Sequence, residues 1–183
     1  MLLEQLSDAG YLDWSRASLD SAAVPAKRGC RDRPEPDGSR AEPGTKRLSV
    51  VDRKGTPLGV RLSPVNRRDS RMMALTLDAL PGVRHGHGRP RKRLGKLHAD
   101  KTYDQHRCRS GCRKRRIMPR IARRGMDHSE RLGRHHRVVE RTLAWLNRFR
   151  RLIIRYEQRA DIHEDFVLLG CALICLNQIR RFC

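Results

Sequence analysis

Residues 46–63 read KRLSVVDRKGTPLGVRLS. Two β-prone runs, 48–51 and 58–62, flank a turn containing Gly55 and Pro57, and this predicts the antiparallel hairpin on which the fold assignment rests. Upstream, 17–24 (ASLDSAAV) predicts a short strand of small and apolar residues carrying one acid, Asp20. Between strand and hairpin the chain gathers Pro25, Gly29, Pro34, Pro36, Gly38, Pro43 and Gly44 among charges, a composition that sustains neither helix nor sheet and predicts a flexible loop over 25–45. Residues 2–11 are expected to form a short helix.

Downstream, Met73, Leu77 and Leu80 recur at helical spacing after Asp69, an acid suited to capping an N-terminus, and Pro81-Gly82 ends the run. Residues 83–96, VRHGHGRPRKRLGK, alternate Gly, His and Arg without periodicity and predict an exposed basic loop, followed by a strand over 97–100. A helix over 103–112, a strand over 117–121 and an irregular stretch over 122–133 come next. From 134 to 156 Val139, Leu143, Leu146, Phe149 and Ile153 recur at three- and four-residue steps, the mark of one amphipathic helix. Residues 161–179 open with an acid and are apolar nearly all round, which predicts a buried helix. The order β, β–β, α, β, α, β, α, α, without repeats, makes this an α/β chain expected to fold as a single domain over 1–183.

The 183 residues carry 41 Lys plus Arg against 20 Asp plus Glu, a formal charge of +21. Self-repulsion of that size works against compaction, and a polyanion, nucleic acid before an anionic membrane, is the economical partner. The excess is local: residues 61–160 hold 29 basic and 8 acidic side chains, while the flanks are nearly balanced. That concentration is an electrostatic footprint for phosphates rather than a uniform bias toward Arg. The longest apolar run, 166–176, is short of the ~20 residues a bilayer requires, so no membrane partner is expected. The N-terminus, MLLEQLSDAGYLDW, lacks a basic stretch and is interrupted by Glu4, Ser7 and Asp8, unlike a secretory signal. A cytoplasmic, nucleoid-associated protein with reduced cysteines is the expectation.

In so basic a chain the acids within structured elements carry the information. Asp20 on the first strand, Asp100 closing the strand before Tyr103, and Glu140 on the amphipathic helix are the candidates for a divalent-metal site, since phosphodiester chemistry needs metal ions to absorb charge on the leaving oxygen. Spacing alone leaves open that they cap helices or pair with arginines. The phosphate-contacting candidates are Arg89, Arg91, Lys92 and Arg93 in the basic loop, Arg137, and the group Arg148, Arg150, Arg151 and Arg155, which one continuous helix would tie rigidly to Glu140.

The segments LDWSRASLDS around Asp20, VVDRKGTPLGVRLSPVNRRD over 50–69, LHADKTYD over 97–104 and RHHRVVERTLAWLNRFRRLIIRYEQRADIHEDFVLLGCALI over 134–174 resemble the DDE transposases of bacterial insertion sequences. They span most of the chain, leaving 25–44 and 83–96 weakly matched; VVERTLAWLNRFRRL and ADKTYD are the specific stretches. The resemblance implies a ribonuclease H-like mixed sheet flanked by helices, with Asp20, Asp100 and Glu140 as the triad that binds Mg²⁺ (or Mn²⁺). It also implies DNA cleavage at element ends and strand transfer to target DNA, with a homodimer expected in a synaptic complex. The chain departs from the family pattern at several points. Asp20 is followed by Ser21-Ala22-Ala23 instead of a polar pair, His135 and His136 stand where Tyr and Arg commonly precede the glutamate, and Asn147 stands for a lysine. Only about 19 residues precede Asp20, where members carry a helical DNA-recognition region. The rival reading is a non-catalytic basic nucleic-acid-binding protein or an inactive, truncated transposase remnant.

Among the remaining groups, Cys108 and Cys112 with His98 or His106 would make a zinc site only with ligands borrowed from afar. Cys171 and Cys175 read as small core hydrophobes. His85 and His87 read as solvated, and Trp145 as core before a DNA-stacking residue.

Overall fold

The computed structural model describes residues 1–27, 44–125 and 129–181. A short helix α1 (Leu2–Asp8) precedes strand β1 (Arg16–Pro25), the hairpin β2 (Gly44–Asp52) and β3 (Pro57–Pro64), and helix α2 (Asp69–Asp78). Strand β4 (Lys96–Ala99), a 3₁₀ turn (Lys101–Tyr103), helix α3 (His106–Lys114) and strand β5 (Met118–Ile121) follow, and helices α4 (Ser129–Leu146), α5 (Arg150–Ile153) and α6 (Ala160–Ile179) complete the chain. The strands form one sheet in the order β3-β2-β1-β4-β5. The hairpin and β1 pair antiparallel. β4 and β5 are parallel to β1, reached by crossovers that place helices on the faces.

Period-two alternation on β1 and β2 divides the core in two, and the irregularity of β3 opposite Val50 and Val51 puts Leu58 and Val60 in different layers. Leu19, Val50, Leu58 and Leu97 face Met73, Leu77, Tyr103, Cys108 and Cys112 on the α2 and α3 side. Val51 and Val60 face Val139, Leu143, Leu146, Val167 and Ile174 on the α4 and α6 side. Because Leu19 points to the first layer, Asp20 points to the second, toward α4. The hairpin turn holds that helix in place: Gly55, at φ +92°, accepts a 2.7 Å hydrogen bond on its carbonyl from Thr142 Oγ1, and a Cβ there would come within 3.1 Å of that oxygen.

Three sequence expectations change. The single helix over 134–156 is broken: α4 begins earlier, within the stretch expected to be irregular, and ends at Leu146, with Phe149 extended before α5. Across this bend Leu146, Phe149 and Leu152 all close on the gap left by the missing side chain of Gly170 in α6. After α5, Arg155 becomes extended and bridges Ala26 beyond the end of β1. The helix expected over 103–112 starts later, since Tyr103 belongs to the 3₁₀ turn. α6 buries Val167, Gly170, Cys171, Ile174 and Cys175 but leaves Leu168, Leu169 and Leu173 exposed, so it is buried along one face only. By length and composition α6 meets the test for a membrane span; here that face packs in the core with His163 and Gln178. Most of the loop expected over 25–45 lies outside the described residues, while Pro25 and Gly44 close the flanking strands.

Candidate active site

Parallel pairing of β1 with β4 aligns Ser18 with His98, so Asp20, midway along β1, lies level with Asp100, just past the carboxyl end of β4, the end at which open α/β sheets hold their ligands. Asp100 is fixed as the cap of the 3₁₀ turn: Oδ1 accepts from the Thr102 backbone N–H at 3.0 Å and Oδ2 from the Thr102 hydroxyl at 2.7 Å. Glu140 is brought over β1 by α4, which the Ser18 hydroxyl ties down by donating to the His135 carbonyl at 2.9 Å. His136 Nε2 lies 3.4 Å from both Asp20 Oδ2 and Glu140 Oε1.

Burial is the main force raising the Asp20 pKa, and the charges of Asp100 and Glu140 push it further. The Ser21 N–H and His136 oppose them. The three sequence-nominated acids thus share one electrostatic neighbourhood, and their mutual repulsion is of the kind a divalent cation relieves. Among the described residues no three His, Cys, Asp or Glu side chains stand close enough together, as they are placed, to hold a metal ion. Glu140, with a side chain 54% exposed, has room to move. An all-carboxylate set fits a hard cation that keeps water and phosphate oxygens as its other ligands.

Sequence reasoning missed several neighbours. Asp69 does not cap α2, whose N-cap is Arg68. Its carboxylate instead accepts from the Ser21 hydroxyl at 2.7 Å and from Lys46 Nζ at 2.9 Å. Tyr103, 1% exposed, is raised well above its usual pKa by burial and by the charges of Asp69, Asp20 and Asp100. Lys101, Arg123 and Arg124 are exposed beyond the ends of β4 and β5, on the same side as Asp100. The Ala122 N–H donates to the Ala99 carbonyl and the Arg124 N–H to Asp104 Oδ2, fixing that segment. The available signal was their position just after two strands.

The nominated basic residues fare unequally. Arg137 is exposed one helical turn from Glu140. Loop residues Arg89, Arg91, Lys92 and Arg93 are exposed but precede β4, at the end away from Asp100, with about 13 Å of strand between. That loop is also anchored: the Gly86 N–H donates to Asp8 Oδ1 at 2.7 Å, and Val83 and Arg91 exchange backbone hydrogen bonds. Because α4 ends at Leu146, no single helix ties Arg148, Arg150, Arg151 and Arg155 to Glu140. Arg151 is paired with Glu157 at 2.6 Å. Arg155, expected to contact DNA, is instead buried: it is 1% exposed, and its guanidinium donates to the carbonyls of Glu157 and Gln158 and to Thr45 Oγ1. Cys108 and Cys112 are core thiols raised in pKa by burial, Cys112 to about 11, and His106 is exposed away from them. Trp145 is half-buried against the α4–α6 core.

The family model described as Transposase DDE domain matches residues 15–176. A putative transposase for insertion sequence element IS402 from Burkholderia cepacia is 47% identical over 142 residues, which cover 78% of this chain and 67% of that protein. Among solved structures, a chain of the simian T-cell lymphotropic virus intasome in complex with PP2A regulatory subunit B56 gamma superposes with TM-score 0.54 at 14% identity, covering 86% of this chain. The match spans about half, 48%, of that chain. The catalytic core domain of BIV integrase gives TM-score 0.44 at 14% identity, covering 90% of this chain and 82% of that one. The mixed five-stranded sheet with flanking helices is ribonuclease H-like. With the family model covering most of its length, this chain belongs to the DDE-domain transposases of insertion sequences.

Proposed function

We propose that this chain cleaves DNA at the ends of its own insertion element and joins the freed ends to target DNA, with Asp20, Asp100 and Glu140 holding Mg²⁺. The observation that carries this reading is that the β1–β4 register sets Asp20 beside Asp100 while His136 lies 3.4 Å from both Asp20 and Glu140, so that the charges of Asp100 and Glu140 act on the Asp20 carboxyl. When bound, divalent ions supply charge neutralisation at the scissile phosphate and activation of the attacking oxygen. The protein's own share is geometric and electrostatic. Asp100 is locked by Thr102, and Asp20 is set on a central strand. Glu140 arrives on a helix pinned by Ser18 and Gly55.

Lys101, Arg123 and Arg124, past the ends of β4 and β5, and Arg137, one turn from Glu140, add exposed positive charge on the side of the acids, which suits phosphates flanking the bond being broken. They support DNA as the partner. Synapsis of two element ends calls for two protomers, so a homodimer acts in the complex. The test is nicking of element-end duplex in Mg²⁺ by the unaltered chain and by Glu140→Gln. Nicking by the first alone supports the proposal, and equal nicking by both overturns it.

A further inference from the structure

The imidazole of His136 sits between two of the three acids. Its Nε2 lies 3.4 Å from Asp20 Oδ2 and 3.4 Å from Glu140 Oε1, while the side chain itself is 31% exposed. Metal–ligand bonds of about 2.1 Å place neighbouring donors on one ion about 3 Å apart, so both separations are within a few tenths of an ångström of an edge of a coordination shell. His136 is one turn before Glu140 on α4, so both side chains descend from the same helix face onto β1. The neighbouring imidazole of His135 is turned elsewhere, its ring 4.3 Å from that of His98.

We infer that His136 is a ligand of the divalent ion held by Asp20 and Glu140, making one position of this acidic site a mixed nitrogen and oxygen site. The inference rests on the metal-dependent reading above and deepens it. A carboxylate-only site suits Mg²⁺ and Mn²⁺ alike, whereas an imidazole in the shell favours first-row transition ions, and Mn²⁺, which accepts nitrogen more readily than Mg²⁺, is the first of these. Mn²⁺ is therefore held more tightly than Mg²⁺ by this chain, and removal of the imidazole narrows the difference. Glu140 closes the shell by a side-chain rotation that its exposure allows.

The experiment is electron spin-echo spectroscopy of Mn²⁺ bound to the full chain with a non-cleavable duplex, with competition by Mg²⁺, for the unaltered protein and for His136→Gln and His136→Asn. Nitrogen modulation on Mn²⁺ in the unaltered protein, lost in both variants along with the Mn²⁺ preference, is the expected result. Mn²⁺ that binds without nitrogen modulation, or with modulation that survives both substitutions, overturns the role of His136 while leaving the acidic site intact. Absence of Mn²⁺ binding in the unaltered protein overturns both.

Discussion

Among the described residues Arg47 is a buried guanidinium that is largely unpartnered, and its replacement by an apolar side chain should stabilise the fold. It lies on β2 between the sheet and the α4–α6 layer, 1% exposed, and among the described residues Nε and Nη1 have no hydrogen-bond partner. Nη2 alone donates, to Asn147 Oδ1 at 2.5 Å. Burial lowers the pKa of the guanidinium from 12.5 to about 10, which means that its charged form costs about 3 kcal/mol in the folded protein near neutral pH. Arg47→Met removes that cost and keeps most of the volume. It forfeits one hydrogen bond from a charged donor, worth about 1.5–3 kcal/mol, but Asn147 is exposed, so the freed oxygen returns to water. With the added apolar burial the net expectation is a stabilisation of about 1–2 kcal/mol, in line with other replacements of buried ions by hydrophobic residues. Urea unfolding followed by circular dichroism reads this as a higher midpoint at unchanged slope. A midpoint lowered by the equivalent of about 1 kcal/mol or more would refute the premise that those donors lack partners.

Three further outcomes follow from the same structure. A Cβ on Gly95 would stand 2.6 Å from the Ser15 carbonyl oxygen, so Gly95→Ala should destabilise by about 1–3 kcal/mol through a backbone shift between β1 and β4, and an unchanged urea midpoint would contradict that packing. Replacing Arg123 and Arg124 together with Ala should make the salt dependence of duplex binding shallower by about 2 in slope, whereas Arg155→Leu should leave the slope unchanged, as measured by fluorescence anisotropy. His163 is fully buried with Nδ1 2.8 Å from Glu157 Oε2. Burial lowers its pKa, and hydrogen bonds lower that of Glu157 against an opposing burial effect. Each then takes up its proton less readily in the folded than in the unfolded state, so stability should fall as pH drops below about 6.5. His163→Gln should flatten the upper part of that fall in thermal unfolding scans.

The strands were legible because their signals are local. The hairpin runs and the small-residue strand around Asp20 needed no distant partner to be read, and β4 and β5 followed within a residue or so of their expected bounds. The break after Leu146 was not legible, because apolar spacing continues through Phe149 and Ile153 and the surface these residues pack on, at Gly170, is 24 positions beyond Leu146 in sequence. Arg155 looked like one more surface arginine for the same reason: its burial depends on pairing with the segment after β1. Of the candidate site, the three acids were recoverable from the family resemblance, and their convergence on Asp20 emerges only from the parallel pairing of β1 with β4 and the docking of α4. Asp69 was read as a cap because capping is a local rule, whereas its partners, Ser21 and Lys46, lie on other strands. His136 stood out in sequence only as a departure from the family pattern, and its place between two carboxylates required the fold.

The central claim is that Asp20, Asp100 and Glu140 act as one metal-holding group on DNA. The most direct measurement is Mg²⁺-dependent cleavage of an element-end duplex by Asp20→Asn, Asp100→Asn and Glu140→Gln, each first shown by circular dichroism and anisotropy to fold and bind the duplex as the unaltered chain does. Cleavage by the unaltered chain and its loss in all three variants is the predicted result. Full cleavage by any one of them would contradict it.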